Sequence, residues 1–170
     1  SLSPAENAAF DYRPPRQPHG LDEQASTVIG VPQAYAVQKG DTILDIARNF
    51  NLGFSELHLL YRKVDSWSPP EGMALTMPTL WVVPKKKRDG ILINIPEMRL
   101  YFFVKADSMV KTFPIGIGVT ANVTPVGRFY IREKVVSPKW HIPKDLRKKY
   151  DGQKFMPPGP ENPLGSHWMG

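Results

Sequence analysis

No cysteine occurs among the 170 residues of this chain. Its absence excludes disulfide bonds and thiolate metal sites. Long apolar runs are missing as well, because no stretch approaches the roughly 18 residues that a membrane-spanning helix requires. A positively charged start followed by an apolar core, the pattern of a signal peptide, is not found. We therefore expect either a cytoplasmic protein or the mature or trimmed form of another protein, without a transmembrane segment.

Proline and glycine are abundant, with 18 and 13 residues, and hydrophobic residues make up 41% of the chain. So much proline argues against a helical bundle and favours short strands, turns and linkers. The 22 basic and 16 acidic residues give a formal net charge of +6. A charge of this sign attracts polyanions, but its size does not discriminate among nucleic acid, anionic lipid and an acidic cell wall.

Composition divides the chain into four parts. Residues 1–33 are interrupted by five prolines and predict a tail. Residues 34–80 predict a compact unit, residues 81–90 a linker and residues 91–170 a second domain. The linker contains the run Lys85-Lys86-Lys87-Arg88. Because no aromatic residue is interleaved with these charges, a solvated linker is favoured over a nucleic-acid patch, and attraction to anionic wall polymers is a lesser alternative.

Residues 34–80 predict the order strand, helix, helix, strand. Tyr35-Ala36-Val37-Gln38 is the first strand, and Met73 to Met77 form the closing one. Thr42 precedes the first helix with Asp45 three residues later, a spacing that suits a capping box. Apolar residues at i, i+3, i+4 and i+7 give that helix one buried face, formed by Ile43, Ile46, Ala47 and Phe50.

The stretch Tyr-Ala-Val-Gln-Lys-Gly-Asp-Thr-Ile-Leu-Asp-Ile-Ala at residues 35–47 closely resembles the opening motif of a LysM module, a small domain that binds peptidoglycan and chitin. The resemblance covers nearly all of residues 34–80. It implies a glycan site built from the loop that begins the first helix and the loop after the second helix. The implied residues are Gly40, Asp41, Thr42, Ile43, Asp65 and Trp67. Asp41 and Thr42 can also cap the helix, and the two roles are compatible.

From residue 91 onward, alternating apolar residues predict β structure. Ile91 to Ile95 form a buried run, and in the next strand Leu100, Phe102 and Val104 share an apolar face. Two further strands are predicted at residues 113–119 and 129–131. The sequence therefore predicts an α+β protein, in which the β-α-α-β module precedes a mostly antiparallel, sandwich-like sheet. Residues 137–163 contain six prolines and form a long excursion from that sheet.

Short segments of the second half occur in the order found in L,D-transpeptidases. They are Glu97-Met98-Arg99-Leu100-Tyr101, Phe113-Pro114-Ile115-Gly116-Ile117-Gly118, Thr124-Pro125-Val126-Gly127, Pro138-Lys139-Trp140 and Asn162-Pro163-Leu164-Gly165. This half resembles the catalytic domain of that family, in particular of envelope enzymes that carry a LysM module before it. The resemblance implies acyl transfer from a peptidoglycan stem tetrapeptide, through a cysteine thioester, to an amine. A histidine accepts the thiol proton.

The family's catalytic motifs, a His-Gly pair and a Ser-x-Gly-Cys run, are absent from residues 91–170. We therefore expect a chain truncated before them, with a domain that is incomplete at its C-terminus and no transpeptidase activity of its own. We also expect the apolar faces that carry Phe102, Phe113, Ile117 and Phe129 to lack packing partners.

No catalytic residue is assigned in this chain. The resemblance places His167 and Trp168 near the family's active site, and Trp140 and His141 lie in the proline-rich excursion. These four are the predicted substrate-binding residues, with a structural role as the alternative for each. Trp140, Trp168 and Tyr150 are candidates for an aromatic wall. Ser166 precedes His167, but neighbours on a strand point to opposite faces, so no nucleophile–base pair is expected there.

No group of His, Asp and Glu has metal-ligand spacing, and we expect no metal and no cofactor. The implied partners are peptidoglycan glycan strands and stem peptides, not nucleic acid, and the implied location is the periplasm or cell envelope. Two functions stay open: a peptidoglycan-modifying L,D-transpeptidase that is inactive as this chain alone, and a non-catalytic peptidoglycan-binding protein of the envelope. Strongly salt-dependent DNA binding would support a third, weaker alternative.

Overall fold

The computed structural model of the chain describes residues 28–84, 90–104, 109–120 and 122–170. They form two compact units, divided between Thr124 and Pro125. Most of the predicted tail and the run Lys85-Lys86-Lys87-Arg88 lie outside the described residues. Two helices and several small antiparallel sheets give the chain the α+β character that the sequence predicts. In the described part of the chain, no helix has the length and apolarity to cross a membrane.

The first unit contains both α-helices and three sheets. Its elements are β1 (Val28–Gly30), β2 (Gln33–Ala36), α1 (Ile43–Asn49), α2 (Phe54–Leu60), β3 (Ala74–Met77), β4 (Leu80–Val82), β5 (Gly90–Asn94), β6 (Arg99–Val104) and β7 (Met109–Pro114). Strand β1 pairs with β4, β2 pairs with β3, and β6 lies between β5 and β7, all antiparallel. The buried core is continuous from the helices to β6 and β7.

The predicted strand–helix–helix–strand order is present as β2, α1, α2 and β3. Thr42 caps α1, since its hydroxyl accepts a hydrogen bond from the Asp45 backbone N–H at 3.0 Å. The same hydroxyl donates to the Asp45 carboxylate at 2.6 Å. The predicted cap at Thr42 is thus present, but Asp45 bonds the Thr42 hydroxyl and not the Thr42 backbone N–H, so the reciprocal half of a capping box is not formed. The predicted buried face is present at Ile43, Ile46 and Ala47, each no more than 1% exposed.

Strand β1 lies within the segment predicted as a tail, and β4 lies at the predicted linker. The two pair in the register Val28↔Val82 and Gly30↔Leu80. Gly30 has φ +78°, and a Cβ there would lie 2.2 Å from the Thr79 carbonyl oxygen, so this turn requires glycine. The pairing is non-local in sequence, which explains why composition alone predicts a tail here.

Strand β6 turns the face with Arg99, Tyr101 and Phe103 to the core, and the apolar face predicted to lack packing partners lies opposite. Arg99, Tyr101 and Phe103 are buried at 1%, 0% and 7% exposure, whereas Phe102 is 39% exposed. The reason is an ion pair: the Arg99 guanidinium Nη2 lies 3.0 and 2.8 Å from the two carboxylate oxygens of Glu56 on α2. Pairing of a buried arginine fixes which face of the strand packs inward.

Three further contacts hold Arg99 in place. Its guanidinium donates to the Asn51 carbonyl at 3.2 Å and to the Thr112 hydroxyl at 3.3 Å, and it lies 4.4 Å from the centre of the Trp81 ring. The Asn51 side-chain amide in turn donates to the Thr112 carbonyl at 2.7 Å. The helices are thereby joined to the β5–β6–β7 sheet, so the predicted boundary at residues 81–90 is not where the two compact units divide.

The second unit consists of two small two-stranded antiparallel sheets and connecting loops. Its elements are β8 (Lys134–Val136), β9 (Trp140–His141), a 3₁₀ turn (Arg147–Tyr150), β10 (Phe155–Met156) and β11 (His167–Met169). Strand β8 pairs with β11 and β9 with β10. The strand predicted at residues 129–131 does not form, and β7 ends at Pro114, before most of the predicted strand 113–119. Phe129 is 67% exposed, as expected for an apolar residue without a packing partner.

We predict that Arg99→Ala lowers the free energy of unfolding of the first unit by about 3 kcal/mol, because it leaves the Glu56 carboxylate without its cation. Helical circular dichroism in a urea titration measures this, since both α-helices belong to that unit. Arg48→Ala is the control: Arg48 pairs with Asp45 at 3.6 Å in solvent, and its loss should cost less than about 0.5 kcal/mol. Equal costs for the two variants would contradict the prediction.

Candidate functional site

The structure brings together the two loops predicted to bind glycan. The backbone N–H of Ile43, at the start of α1, donates to the carbonyl of Ser66 at 2.9 Å. In the second loop the Asp65 carboxylate accepts the backbone N–H of Trp67 at 2.9 Å, which folds the loop into a turn. The Trp67 side chain is 77% exposed. An exposed tryptophan therefore stands beside the loop that begins the first helix.

Asp41 organises the first loop. Its Oδ2 accepts hydrogen bonds from the Tyr35 hydroxyl at 2.7 Å and from the Gln38 backbone N–H at 2.8 Å. Burial, with the hydrogen bond to Asp41 as the next contribution, raises the pKa of Tyr35 to about 12. The hydroxyl stays protonated at neutral pH and keeps donating to the carboxylate. Gly40 supports the turn with φ +86°, a conformation that favours glycine.

The side chain of Ile43, a residue predicted to bind glycan, packs in the protein core. Its side chain is 1% exposed and belongs to the core, so a bound sugar has no access to it. What Ile43 contributes to the two loops is the backbone hydrogen bond to Ser66. Thr42 likewise uses its hydroxyl to cap α1 and to bond Asp45. The accessible side chains of this surface are those of Asp65 and Trp67, with Asp41 and Thr42 partly exposed.

The four residues predicted to bind a stem peptide lie in the two small sheets of the second unit. Trp140 and His141 form β9, where His141 is opposite Phe155. His167 and Trp168 lie on β11, opposite Val136 and Val135 of β8. Of the predicted aromatic wall, Trp140 and Tyr150 are in contact, edge to face with ring centres 5.2 Å apart. Trp168 lies in the other sheet, formed by β8 and β11.

Ser166 and His167 form a hydrogen bond, contrary to the expectation from sequence. The Ser166 Oγ lies 2.9 Å from the His167 Nδ1. Ser166 precedes β11 and follows Gly165, whose φ is +68°, so the alternation of a regular strand does not apply at this residue. Ser166 also lines a cleft of about 300 Å³ together with Ser137, Pro158, Gly159, Pro160 and Gly165. Both side chains of the pair are solvent-exposed.

Asn162 organises the proline-rich excursion, a role that the sequence analysis missed. It is 3% exposed, and its amide donates to the carbonyls of Pro138 at 2.8 Å and Pro157 at 3.1 Å. Its side-chain oxygen accepts the backbone N–H of Leu164 at 2.9 Å. Prolines offer carbonyls but no N–H, so a segment rich in them needs side-chain donors. An asparagine next to a cluster of prolines is the signal that predicts this role.

The chemistry available to these surfaces is bounded by two observations. The chain has no thiol. Among the described residues, no group of three or more His, Asp or Glu side chains is placed to hold a metal ion. In the two loops, hydrogen-bonding side chains and the exposed Trp67 ring suit recognition of a polar ligand. The Ser166 hydroxyl and the His167 imidazole form a hydrogen-bonded contact at a solvent-exposed turn.

Comparison with known proteins identifies the family that the second half matches. Residues 88–169 match the L,D-transpeptidase catalytic domain, the YkuD family. The chain is 32% identical over 155 residues to the probable L,D-transpeptidase YcfS of Escherichia coli K12, which covers 86% of this chain and 48% of that protein. It is 30% identical over 153 residues to the probable L,D-transpeptidase ErfK/SrfK of Salmonella typhimurium LT2, covering 85% and 50%. The chain spans about half the length of these curated relatives.

A third relative, the probable L,D-transpeptidase YbiS of Escherichia coli K12, is 29% identical over 153 residues. Among solved structures, a probable carnitine operon oxidoreductase from Brucella melitensis aligns with a TM-score of 0.40 and 26% identity, covering 49% of this chain and 54% of that one. A TM-score this low supports no inference about the fold or the function. The identification of the L,D-transpeptidase segment therefore depends on the family match and the sequence relatives.

We predict that Tyr35 titrates with a pKa near 12 in the folded protein. Between about pH 10, where an unfolded tyrosine ionises, and the folded pKa, the folded state holds a proton that the unfolded state has lost. The contribution of Tyr35 to stability is thus complete below pH 10 and falls as the pH rises through this window. The difference in tyrosinate absorbance between wild type and Tyr35→Phe measures the titration. A difference curve centred near pH 10 in folded protein would contradict the assignment.

Proposed function

We propose that this chain is part of a peptidoglycan-modifying L,D-transpeptidase of the bacterial envelope, acting in the periplasm or cell envelope, and that residues 34–80 are a LysM-type glycan-binding module within it. The observation that carries this proposal is the match of residues 88–169 to the L,D-transpeptidase catalytic domain. The sequence relatives, named as probable L,D-transpeptidases, support it. The proposed reaction is acyl transfer from a stem peptide through a cysteine thioester to an amine.

The glycan-binding part of the proposal is supported by how the two loops meet. Ile43 and Ser66 join them by one backbone hydrogen bond, and the carboxylates of Asp41 and Asp65 stand one in each loop. Carboxylates accept hydrogen bonds from sugar hydroxyls, and the Trp67 ring offers an apolar surface with a polar edge. Both loops are anchored to the core, through Ile43 and through α2, so the surface is preorganised and little ordering entropy opposes binding.

The catalytic part of the proposal assigns no nucleophile to this chain. The thioester step requires a cysteine thiolate, and the 170 residues contain no cysteine. A second candidate function follows from the same observation: a non-catalytic protein that binds peptidoglycan through residues 34–80. The two candidates share the glycan-binding surface and differ in whether acyl transfer takes place when a thiol is supplied by the rest of an enzyme.

We predict that the 170-residue chain is retained by isolated peptidoglycan sacculi and that Trp67→Ala weakens retention roughly tenfold, the effect of losing a well-placed aromatic contact. Tyr130→Ala is a matched control, because Tyr130 and Trp67 are both 77% exposed and neither substitution opens a cavity. Sedimentation with increasing amounts of sacculi measures the affinity. Retention that is unchanged by Trp67→Ala, or equally weakened by both substitutions, would overturn the assignment of the loops.

We also predict that the purified chain forms no new cross-links when incubated with tetrapeptide muropeptides, because it lacks a thiolate. Mass spectrometry of the products measures this, with a cysteine-bearing L,D-transpeptidase as the positive control. New cross-links would contradict the prediction. In that event Ser166→Ala would show whether the hydroxyl bonded to His167 serves as the nucleophile.

A further inference from the structure

The positive charge of the second unit is concentrated in one short segment. Residues 139–154, here called the basic segment, contain six lysines and arginines and two aspartates, a net charge of +4, compared with +6 for the whole chain. The six cations are Lys139, Lys144, Arg147, Lys148, Lys149 and Lys154. Five are solvent-exposed, and Arg147 is partly buried. Such a density of positive charge produces a strong local electrostatic potential.

The basic segment is held in one conformation by its own contacts. Ile142 is 1% exposed, and its backbone N–H donates to the Lys154 carbonyl at 3.0 Å. The Arg147 Nε donates to the Ile142 carbonyl at 3.2 Å, and Tyr150 packs edge to face against Trp140. The 3₁₀ turn is thereby fixed to the sheet of β9 and β10. Because the conformation exists before binding, a partner bears little ordering cost.

The cations of the basic segment have no carboxylate partners among the described residues. Lys139 instead lies over the Phe155 ring at 3.6 Å. Asp145 and Asp151, the two acidic residues of the segment, are exposed. An excess of exposed cations over carboxylates within sixteen consecutive residues favours binding of an anionic partner.

An apolar side chain beside these cations indicates the kind of anionic partner. Leu146 is 39% exposed and lies directly next to Arg147 in the chain. Proteins bind a membrane surface when their lysines contact the headgroup phosphates and an apolar side chain reaches the boundary of the acyl chains. Single-stranded nucleic acid would need free aromatic faces for stacking, but Trp140 and Tyr150 pack on each other and Lys139 covers Phe155.

We propose that the basic segment binds the anionic headgroup surface of a phospholipid membrane. Binding uses Lys144, Lys148 and Lys149 as phosphate contacts and Leu146 as a shallow apolar anchor. The interaction is peripheral and electrostatic, so it weakens as salt is added. It does not depend on the LysM or transpeptidase proposals, since neither glycan nor a thiol takes part in it.

The test is sedimentation of the full chain with vesicles of phosphatidylcholine that contain roughly one-third phosphatidylglycerol, against vesicles of phosphatidylcholine alone. We expect binding only to the anionic vesicles, and its loss as ionic strength is raised. The double variant Lys148→Gln/Lys149→Gln should reduce the partition coefficient about tenfold or more, given the contribution of each lysine near an anionic surface. Near-ultraviolet circular dichroism checks that the variant is folded.

The matched control is Arg62→Gln/Lys63→Gln, which removes the same charge from exposed residues of the first unit. We expect this variant to bind the anionic vesicles within about twofold of wild type, apart from the long-range effect of net charge. No binding by wild type, or an equal loss in both double variants, overturns the proposal. So does a result in which Lys148→Gln/Lys149→Gln weakens binding of duplex DNA but leaves vesicle binding unchanged. Retention by sacculi is measured separately, so failure here is distinguishable from failure of the glycan proposal.

Discussion

The first unit depends on one buried cation. Arg99 is 1% exposed, and a guanidinium so deep is tolerable only when its charge is paired. Glu56 supplies the charge, while the Asn51 carbonyl and the Thr112 hydroxyl accept two of its donors. These partners come from the end of α1, from α2 and from β7. Moving any of these elements would remove one of the partners of Arg99, so these contacts fix the mutual arrangement of the three elements.

Glu56 shows how closely this pair is connected to local structure. Its carboxylate also accepts the backbone N–H of Gly53 at 2.5 Å, which caps the start of α2. The same side chain therefore begins a helix and binds the sheet's arginine. Asn51 has a comparable double role, because it takes φ +58° after α1 and its amide reaches the Thr112 carbonyl. The short connection between the helices, together with Glu56 at the start of α2, thus joins residues 34–80 to the β5–β6–β7 sheet.

The sequence predicts those structural features well that depend on residues close together in the chain. The α1 cap at Thr42 and the buried face of Ile43, Ile46 and Ala47 follow from spacing within one turn or two, and both are present. Alternation alone does not show that β6 buries Arg99 and Tyr101, because this outcome depends on Glu56, 43 residues away. The pairing of β1 with β4 is missed for the same reason. Contact between the two predicted glycan loops, through Ile43 and Ser66, also lies beyond what spacing can specify.

The second unit is stabilised by different means, and this explains which of its features the sequence predicts. It has few buried apolar side chains, Ile142 being the largest below 2% exposure. Its order comes instead from polar contacts at prolines, with Asn162 bonding two carbonyls that lie about twenty residues apart in sequence. A proline-rich excursion that is ordered by one amide can present charged residues outward without a large core behind them. The concentration of lysines in residues 139–154 is therefore compatible with a fixed conformation. The lysines lie at the surface because this unit has few apolar residues that could pack over them.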